Sequence, residues 1–184
     1  AWSNVERAIA NLEAADWLRP EPIAAAAPAA LAELIRPAGY FNVKARRLQS
    51  VCRVLLEQGG ERALAARPTA ELRRQLLTVH GVGPETADDV LLYAFERPVF
   101  VIDAYTRRIF ARLGLITSDE GYEGLRADVE AALGPDVPLY NEYHALIVNH
   151  AKDACRKRPL CGGCGLLALC AQGQADGVLS SDVR

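Results

Sequence analysis

The segment from Thr78 to Phe110 constrains the fold most strongly, because its local pattern changes several times within a short length. Near its start lies the turn Gly81-Val82-Gly83, where glycine permits positive φ angles and close approach of another backbone. Pro84 follows, and proline suits the first position of a helix because its missing N–H needs no partner there. An apolar stretch, Pro98 to Ile102, then leads to Asp103 and a second helical pattern. The segment therefore predicts two helices, one opened by a glycine turn and one opened by a carboxylate.

Apolar residues elsewhere in the chain follow helical spacing. They recur three or four positions apart from Val5 to Trp17, from Phe41 to Gln58 and from Tyr140 to Ala154. Cys52 lies on the apolar face of the second of these helices, so we expect it to be a buried small hydrophobe. Only Pro98 to Ile102 resembles a strand, and it is too short to form a sheet. The sequence therefore predicts an all-α protein.

Composition excludes two classes of protein. With 51% hydrophobic and 24% charged residues, the chain is typical of globular and not of disordered proteins. No apolar run approaches the roughly 20 residues that a membrane span requires.

The net charge of −2 argues against a protein that is basic overall, but basic residues cluster locally. The clusters are Lys44, Arg46 and Arg47, then Arg107, Arg108 and Arg112, then Arg156, Lys157 and Arg158. Each cluster can contact phosphate or can simply be a solvated surface.

The glycine turn is a candidate anion site. A helix that follows such a turn directs backbone N–H groups and its positive dipole end outward, where they can bind a phosphate. The candidate contacts are His80, Gly81, Val82 and Gly83, with Val82 adding an apolar contact at the tip. Helical hairpins also turn on glycines for packing alone, so the turn by itself leaves both interpretations open.

Four of the five cysteines form a local group near the end of the chain. Cys155, Cys161, Cys164 and Cys170 read C-x5-C-x2-C-x5-C. This clustering indicates a metal site and not a scattered disulfide framework. Four thiolates suit a [4Fe-4S] cluster or a structural zinc ion, but zinc sites usually show two C-x-x-C pairs and this run has one. The basic residues Arg156, Lys157 and Arg158 lie within the first gap.

Two segments, LTVHGVGPET at residues 77–86 and VFVIDAYTRRIF at residues 99–110, resemble the endonuclease III superfamily of helix-hairpin-helix DNA glycosylases. The cysteine run is also similar to that family's [4Fe-4S] motif, although its first gap is one residue shorter. The strings GPETAD and DAYTRRIF resemble most the 3-methyladenine DNA glycosylase branch. The resemblance covers nearly the whole chain. It implies a base excision repair enzyme that hydrolyses the N-glycosidic bond of a damaged base in duplex DNA.

The resemblance also implies a two-lobed fold. We expect a helix-hairpin-helix lobe at residues 1–98, a cluster lobe with the iron-sulfur loop at residues 99–184, and the active cleft between them. The residues around Trp2 resemble a segment that lies inside the domain in relatives, so we expect upstream helices to be missing. We further expect a monomer, located in the cytoplasm with the nucleoid and not in a membrane.

Asp103 falls on the family's catalytic aspartate. Its carboxylate can stabilise the positive charge that builds on the sugar during N-glycosidic cleavage, and can activate the attacking water. Spacing alone favours a simpler role, because aspartate is a strong N-cap for the helix that follows. The resemblance reverses this preference, and the two roles are compatible.

Glu85 falls where strand-cutting members of the family carry a lysine, whose amine forms a Schiff base with the opened sugar. Glutamate cannot form one, and the three lysines of the chain, Lys44, Lys152 and Lys157, lie outside the motif. The resemblance therefore implies base removal without strand cutting. Glu85 itself either favours the helix dipole as a first-turn carboxylate or lines the base pocket.

Several other residues receive roles from the resemblance or from position. Tyr105 is a candidate wall of the base pocket, Arg108 is a candidate DNA contact, and Arg156, Lys157 and Arg158 correspond to a loop that lies along the DNA backbone in the family. We expect Asn141, His144 and His150 to provide polar packing between the two halves. Two alternative functions remain: a bifunctional endonuclease III-type glycosylase/AP lyase acting on oxidised pyrimidines, and a weakly active or non-catalytic DNA-binding paralogue.

Overall fold

The structure is a computed structural model, and it describes residues 2–117 and 119–175. Throughout these two ranges the chain forms helices and connecting segments without any strand, which confirms the all-α prediction. None of the described helices is long and apolar enough to cross a membrane. The chain divides into two compact units, residues 1–87 and residues 88–184. This division lies within the Thr78–Phe110 segment, whereas the sequence suggested a boundary after Pro98.

The first unit is built around one long helix. Its helices are α1 (Trp2–Ala14), α2 (Pro20–Ala25), α3 (Pro28–Leu34), α4 (Phe41–Glu57), α5 (Gly60–Ala65), α6 (Thr69–Thr78) and the start of α7 (Pro84–Asp89), with a 3-10 turn at Arg36–Ala38. Helix α4 packs against α2 and α3, and its buried residues include Cys52, as predicted. The buried Gln49 amide donates to the carbonyl oxygens of Ile23 and Ala26, which ties α4 to the end of α2.

The second unit begins inside the helix that opens at Pro84. Residues Val90–Ala94 form a π-helical turn directly after α7, and Phe95 N–H donates to the Val90 carbonyl oxygen. The remaining elements are α8 (Ala104–Leu113), α9 (Tyr122–Leu133), α10 (Val137–Asp153), 3-10 turns at Cys161–Gly163 and Leu167–Leu169, and α11 (Ala171–Ala175). Helices α8 and α10 pack together around a core that includes Phe100, Ile109, Tyr140 and Ile147.

The apolar stretch at residues 98–102 is a buried extended segment and not a strand. Phe100, Val101 and Ile102 are fully or almost fully buried. Side chains of α9 replace the partner strand: Phe100 N–H donates to a Glu130 carboxylate oxygen at 2.9 Å, and Ile102 N–H to the Tyr122 hydroxyl at 3.4 Å. Buried backbone donors need partners, and here two polar side chains supply them. The segment thus holds Asp103 at the edge of the core of the second unit.

Candidate active site

Asp103 is the N-cap of helix α8. Its Oδ1 atom accepts hydrogen bonds from the Thr106 backbone N–H at 2.7 Å and from the Thr106 hydroxyl at 2.9 Å. Thr106 is fully buried, so both donors are held in place by the core. The N-cap predicted from spacing is confirmed. One carboxylate oxygen is therefore fixed by the helix, and the other, Oδ2, takes no part in these two hydrogen bonds.

The environment of Asp103 favours its charged form. The side chain is 13% exposed, and this burial by itself raises the pKa of the carboxyl group. The neighbouring His144 imidazole and the two Thr106 donors outweigh burial, and the pKa lies below its ordinary value. Asp103 is therefore a carboxylate at neutral pH, which is the form that can stabilise a cation or accept a proton.

Two side chains that the sequence did not assign to a site lie beside Asp103. His144 on α10 places Nε2 at 3.8 Å from Asp103 Oδ2. On the other side of the ring, Nδ1 lies 2.6 Å from the hydroxyl oxygen of Tyr93, which belongs to the π-helical turn. We expected His144 to provide polar packing between the two halves, and the structure places its Nε2 atom near the Asp103 carboxylate.

Tyr105 and Arg108 lie on the same helix as the Asp103 cap. The Arg108 guanidinium carbon stands 5.1 Å from the centre of the half-buried Tyr105 ring. Arg108 also donates to the carbonyl oxygens of Cys155 at 2.9 Å and Ala151 at 3.2 Å, at the end of α10. These contacts connect α8 to the start of the cysteine segment, and the DNA contact of Arg108 stays a prediction.

The glycine turn lies in the first unit. Gly81 adopts φ +87°, a conformation that L side chains rarely adopt, and the Arg47 side chain lies over it. His80, Gly83 and Glu85 are exposed, as a DNA contact requires. We expected the Val82 side chain to add an apolar contact at the tip of the turn. It is only 8% exposed, so it packs inward and is not presented at the tip. Its N–H donates to the Val79 carbonyl oxygen.

All four clustered cysteines line one pocket of the second unit. The other lining residues include Ile109, Leu113, Leu160 and Leu166, and no described carboxylate faces the pocket. The residues fit a metal group: the donors are four thiols, the walls are apolar, and Arg112 and the Gly173 N–H donate to sulfur atoms of Cys155 and Cys170. Among the described residues, no three or more His, Cys, Asp or Glu side chains lie close enough together to hold a metal ion, so the four thiols do not converge on a common point in this structure.

Arg112 connects α8 to the basic loop. Its guanidinium donates to the carbonyl oxygen of Arg156 at 2.6 Å and to that of Lys157 at 3.0 Å, as well as to Cys155 Sγ at 3.2 Å. The side chains of Arg156, Lys157 and Arg158 are exposed. The backbone of the loop is therefore held by the protein while its charges face solvent, which leaves them available to an anionic partner.

A family model for HhH-GPD superfamily base excision DNA repair proteins matches residues 1–135, which is most of the chain. The chain belongs to this superfamily. The HhH-GPD match includes both the glycine turn and the Asp103 helix, so the family assignment that the sequence suggested is confirmed. Superfamily membership makes the chain a DNA glycosylase of base excision repair.

Relatives and solved structures support the same assignment. A protein of Methanocaldococcus jannaschii, provisionally named a DNA repair glycosylase, is 46% identical over 92% of this chain and 79% of its own length. The solved structure of a trapped endonuclease III–DNA covalent intermediate matches this chain with a TM-score of 0.79 and 25% sequence identity. The match covers 95% of this chain and 78% of the chain in that structure. The H. pylori 3-methyladenine DNA glycosylase MagIII, bound to 1,N6-ethenoadenine, has a TM-score of 0.68 and 28% identity, with coverage of 83% and 78%.

Proposed function

We propose that this HhH-GPD protein is a monofunctional DNA glycosylase that releases alkylated purines or related damaged bases from duplex DNA and leaves an abasic site. The observation that carries the proposal is the state of Asp103, which is ionised at neutral pH and is fixed through Oδ1, while Oδ2 takes no part in the two hydrogen bonds from Thr106. A second observation limits the chemistry: the position of the family lysine is occupied by Glu85.

The chemistry follows from the carboxylate. A damaged base must leave the stacked duplex before its glycosidic bond becomes accessible. As the bond between C1′ and the base nitrogen breaks, its electron pair leaves with the base and positive charge develops on the sugar. The Asp103 carboxylate stabilises this charge, and water then forms the new C1′–O bond while its proton passes to Asp103. A free base and an abasic site result.

Strand cutting needs an amine that this segment does not supply. A Schiff base requires a nucleophilic nitrogen at C1′, and a carboxylate at position 85 cannot provide one. Glu85 is exposed in the first turn of α7, where it favours the helix dipole or lines the base pocket. The similarity to MagIII supports an alkylated purine as substrate, with Tyr105 as one wall of the pocket.

A bifunctional glycosylase/AP lyase acting on oxidised pyrimidines is the second candidate. The structure of a trapped endonuclease III–DNA covalent intermediate matches this chain with a TM-score of 0.79. Similarity of fold alone therefore favours the bifunctional enzyme. The residue chemistry at position 85 argues against it. A third candidate, a weakly active DNA-binding paralogue, would bind duplex DNA in a salt-sensitive manner without releasing any base.

The DNA contacts proposed here come from two surfaces. The glycine turn, at His80, Gly81 and Gly83, and the basic loop at residues 156–158 both expose groups that can contact backbone phosphates. Arg108 is a further candidate. We expect the protein to act as a monomer in the cytoplasm, on nucleoid DNA.

The four cysteines are proposed to hold a [4Fe-4S] cluster, with structural zinc as the alternative. Either group, when bound, supplies a rigid crosslink that orders the segment from Cys155 to Cys170. Arg112 then fixes the loop backbone from the side of α8. Iron and sulfide analysis, together with the visible absorbance of an iron-sulfur cluster, distinguishes the two metals.

The proposal is tested by base release from duplexes that each carry one defined lesion. The wild-type protein should release at least one alkylated purine, and Asp103→Asn should lose about 100-fold or more of the rate constant. Asparagine also caps helices, so this variant retains the N-cap and the fold. Full release by Asp103→Asn, or no release by the wild type on any lesion, would contradict the proposal.

A further inference from the structure

Tyr93, His144 and Asp103 form a chain of polar groups in the second unit. The Tyr93 hydroxyl lies 2.6 Å from His144 Nδ1, and His144 Nε2 lies 3.8 Å from Asp103 Oδ2. His144 is 7% exposed, and among the residues that the structure describes its Nε2 atom has no hydrogen-bond partner. A buried polar atom without a partner is uncommon and calls for an explanation. Here the atom faces the carboxylate that carries the proposed chemistry.

The two neighbours of the imidazole favour one position for its hydrogen. Burial, together with the negative charges of Asp89 and Asp103, raises the pKa of the Tyr93 hydroxyl, so Tyr93 keeps its proton and can donate it. If Tyr93 donates to Nδ1, the hydrogen of the neutral ring must lie on Nε2. An Nε2–H group facing Oδ2 is attracted to the carboxylate, whereas a bare Nε2 lone pair would be repelled by it.

We propose that His144 is a positioning residue for Asp103, held as its Nε2–H tautomer by the hydroxyl of Tyr93. The inference rests on the proposed function, because it assigns His144 a role through the catalytic carboxylate. Thr106 fixes Oδ1 and His144 restrains Oδ2, so the plane of the carboxylate is set from both sides. Productive geometry of this kind matters because a displacement of about 1 Å costs on the order of 100-fold in rate.

The main competing explanation is that His144 only packs. Its ring has a tilted contact with the Tyr93 ring at 5.9 Å between centroids and an edge contact with Phe100 at 6.5 Å. Packing needs the shape of the ring but does not need a particular tautomer, and it does not need the Tyr93 hydroxyl. Measurements that respond to the hydroxyl and to the tautomer therefore separate positioning from packing.

The first test is nitrogen-15 NMR of the histidine side chains in the wild-type holoprotein. The proposal predicts that the His144 ring carries a hydrogen on Nε2 and has a hydrogen-bonded Nδ1 without one. Tyr93→Phe should broaden or shift this pattern toward a tautomer mixture, and Tyr143→Phe, which removes a hydroxyl from the same helix as His144, should leave it unchanged. A wild-type ring protonated on Nδ1 would overturn the proposal.

The second test is the single-turnover rate constant of base release. His144→Asn should lower it about 10- to 100-fold at unchanged affinity for undamaged duplex DNA, because the carboxylate loses its restraint. His144→Gln places an amide group near the position of Nε2 and should restore part of the rate. Tyr93→Phe should lower the rate in the wild-type background and have little further effect in His144→Asn, since both act through one chain.

The outcomes separate this inference from the proposed function. If the wild type releases base and Asp103→Asn does not, but His144→Asn matches the wild type, the inference fails and the function stands. If the wild type releases no base at all, the function fails, and the tautomer measured by NMR still decides whether Tyr93 sets the His144 ring. Additive effects of the Tyr93 and His144 substitutions would also contradict the proposal.

Discussion

The Arg47 side chain lies over Gly81, in the space where a Cβ atom at that position would project. Helix α4 therefore packs against the glycine turn through the side chain of Arg47, which contacts Gly81. The relationship explains why residue 81 must be glycine for two reasons: its φ of +87° disfavours a side chain, and Arg47 occupies the space.

Gly81→Ala should lower both stability and DNA affinity. The positive φ angle costs a non-glycine residue about 1–2 kcal/mol, and the new methyl group displaces Arg47. Urea unfolding measures the first effect, and titration with undamaged duplex DNA measures the second. Gly83→Ala is the matched control, because a Cβ atom there meets no described atom within 4 Å. If Gly81→Ala and Gly83→Ala had the same unfolding free energy and the same DNA affinity, this description of the turn would be wrong.

Glu85→Lys should introduce strand-cutting chemistry. The substitution places an amine where the superfamily's lyase members carry one, and an amine can form a Schiff base with the aldehyde of an abasic site. The measurement is borohydride trapping on a duplex that contains an abasic site, so it does not require the natural lesion to be known. Thr86→Lys places the same amine at the next position, which is also exposed, and should trap no more than the wild type. If borohydride trapped both lysine variants equally poorly, residue 85 would not lie in the active site.

The stabilising effect of the Asp103 charge should disappear in acid. The pKa of Asp103 is below its ordinary value in the folded protein, so the native state favours the carboxylate. The resulting stability is present above the ordinary carboxyl pKa of about 3.9 and is lost as the pH falls through the lower folded value. The unfolding free energies of the wild type and Asp103→Asn should therefore converge below about pH 4. A difference that is constant from pH 3 to pH 7 would indicate that the charge contributes nothing to the fold.

Replacing one clustered cysteine should remove the metal. We expect Cys161→Ala to lose bound iron and sulfide, and to bind duplex DNA more weakly because the basic loop loses its anchor. Cys52→Ala is the control, since Cys52 belongs to the core of the first unit and lies on helix α4. Retention of full iron content by Cys161→Ala, or bound zinc in place of iron in the wild type, would contradict the [4Fe-4S] assignment.

Features set by nearby residues could be predicted from the sequence. The apolar spacing of residues 41–58 predicted helix α4 and the burial of Cys52, and the residue before Ala104 predicted the N-cap. The extended segment at residues 98–102 was harder, because its backbone partners are side chains of α9 and not a second strand. Local pattern carries no information about partners that are distant in the chain.

The same limit explains the two missed residues of the candidate site. Tyr93 reaches His144 from a π-helical turn, which apolar spacing does not distinguish from an ordinary helical turn. His144 reaches Asp103 because α10 packs against α8, and the two residues are far apart in sequence. A histidine on a largely apolar helix is the one available signal, and such residues more often serve packing.

The most direct test of the central claim compares strand scission with and without alkali on duplexes that carry single lesions. Alkali cuts any abasic site, so it reports base release, whereas scission without alkali reports lyase activity. The wild-type protein should yield cut strands from an alkylated purine duplex only after alkali treatment, and Asp103→Asn should yield few in either case. Equal scission with and without alkali, or covalent trapping of the wild type by borohydride on an oxidised pyrimidine, would contradict a monofunctional glycosylase.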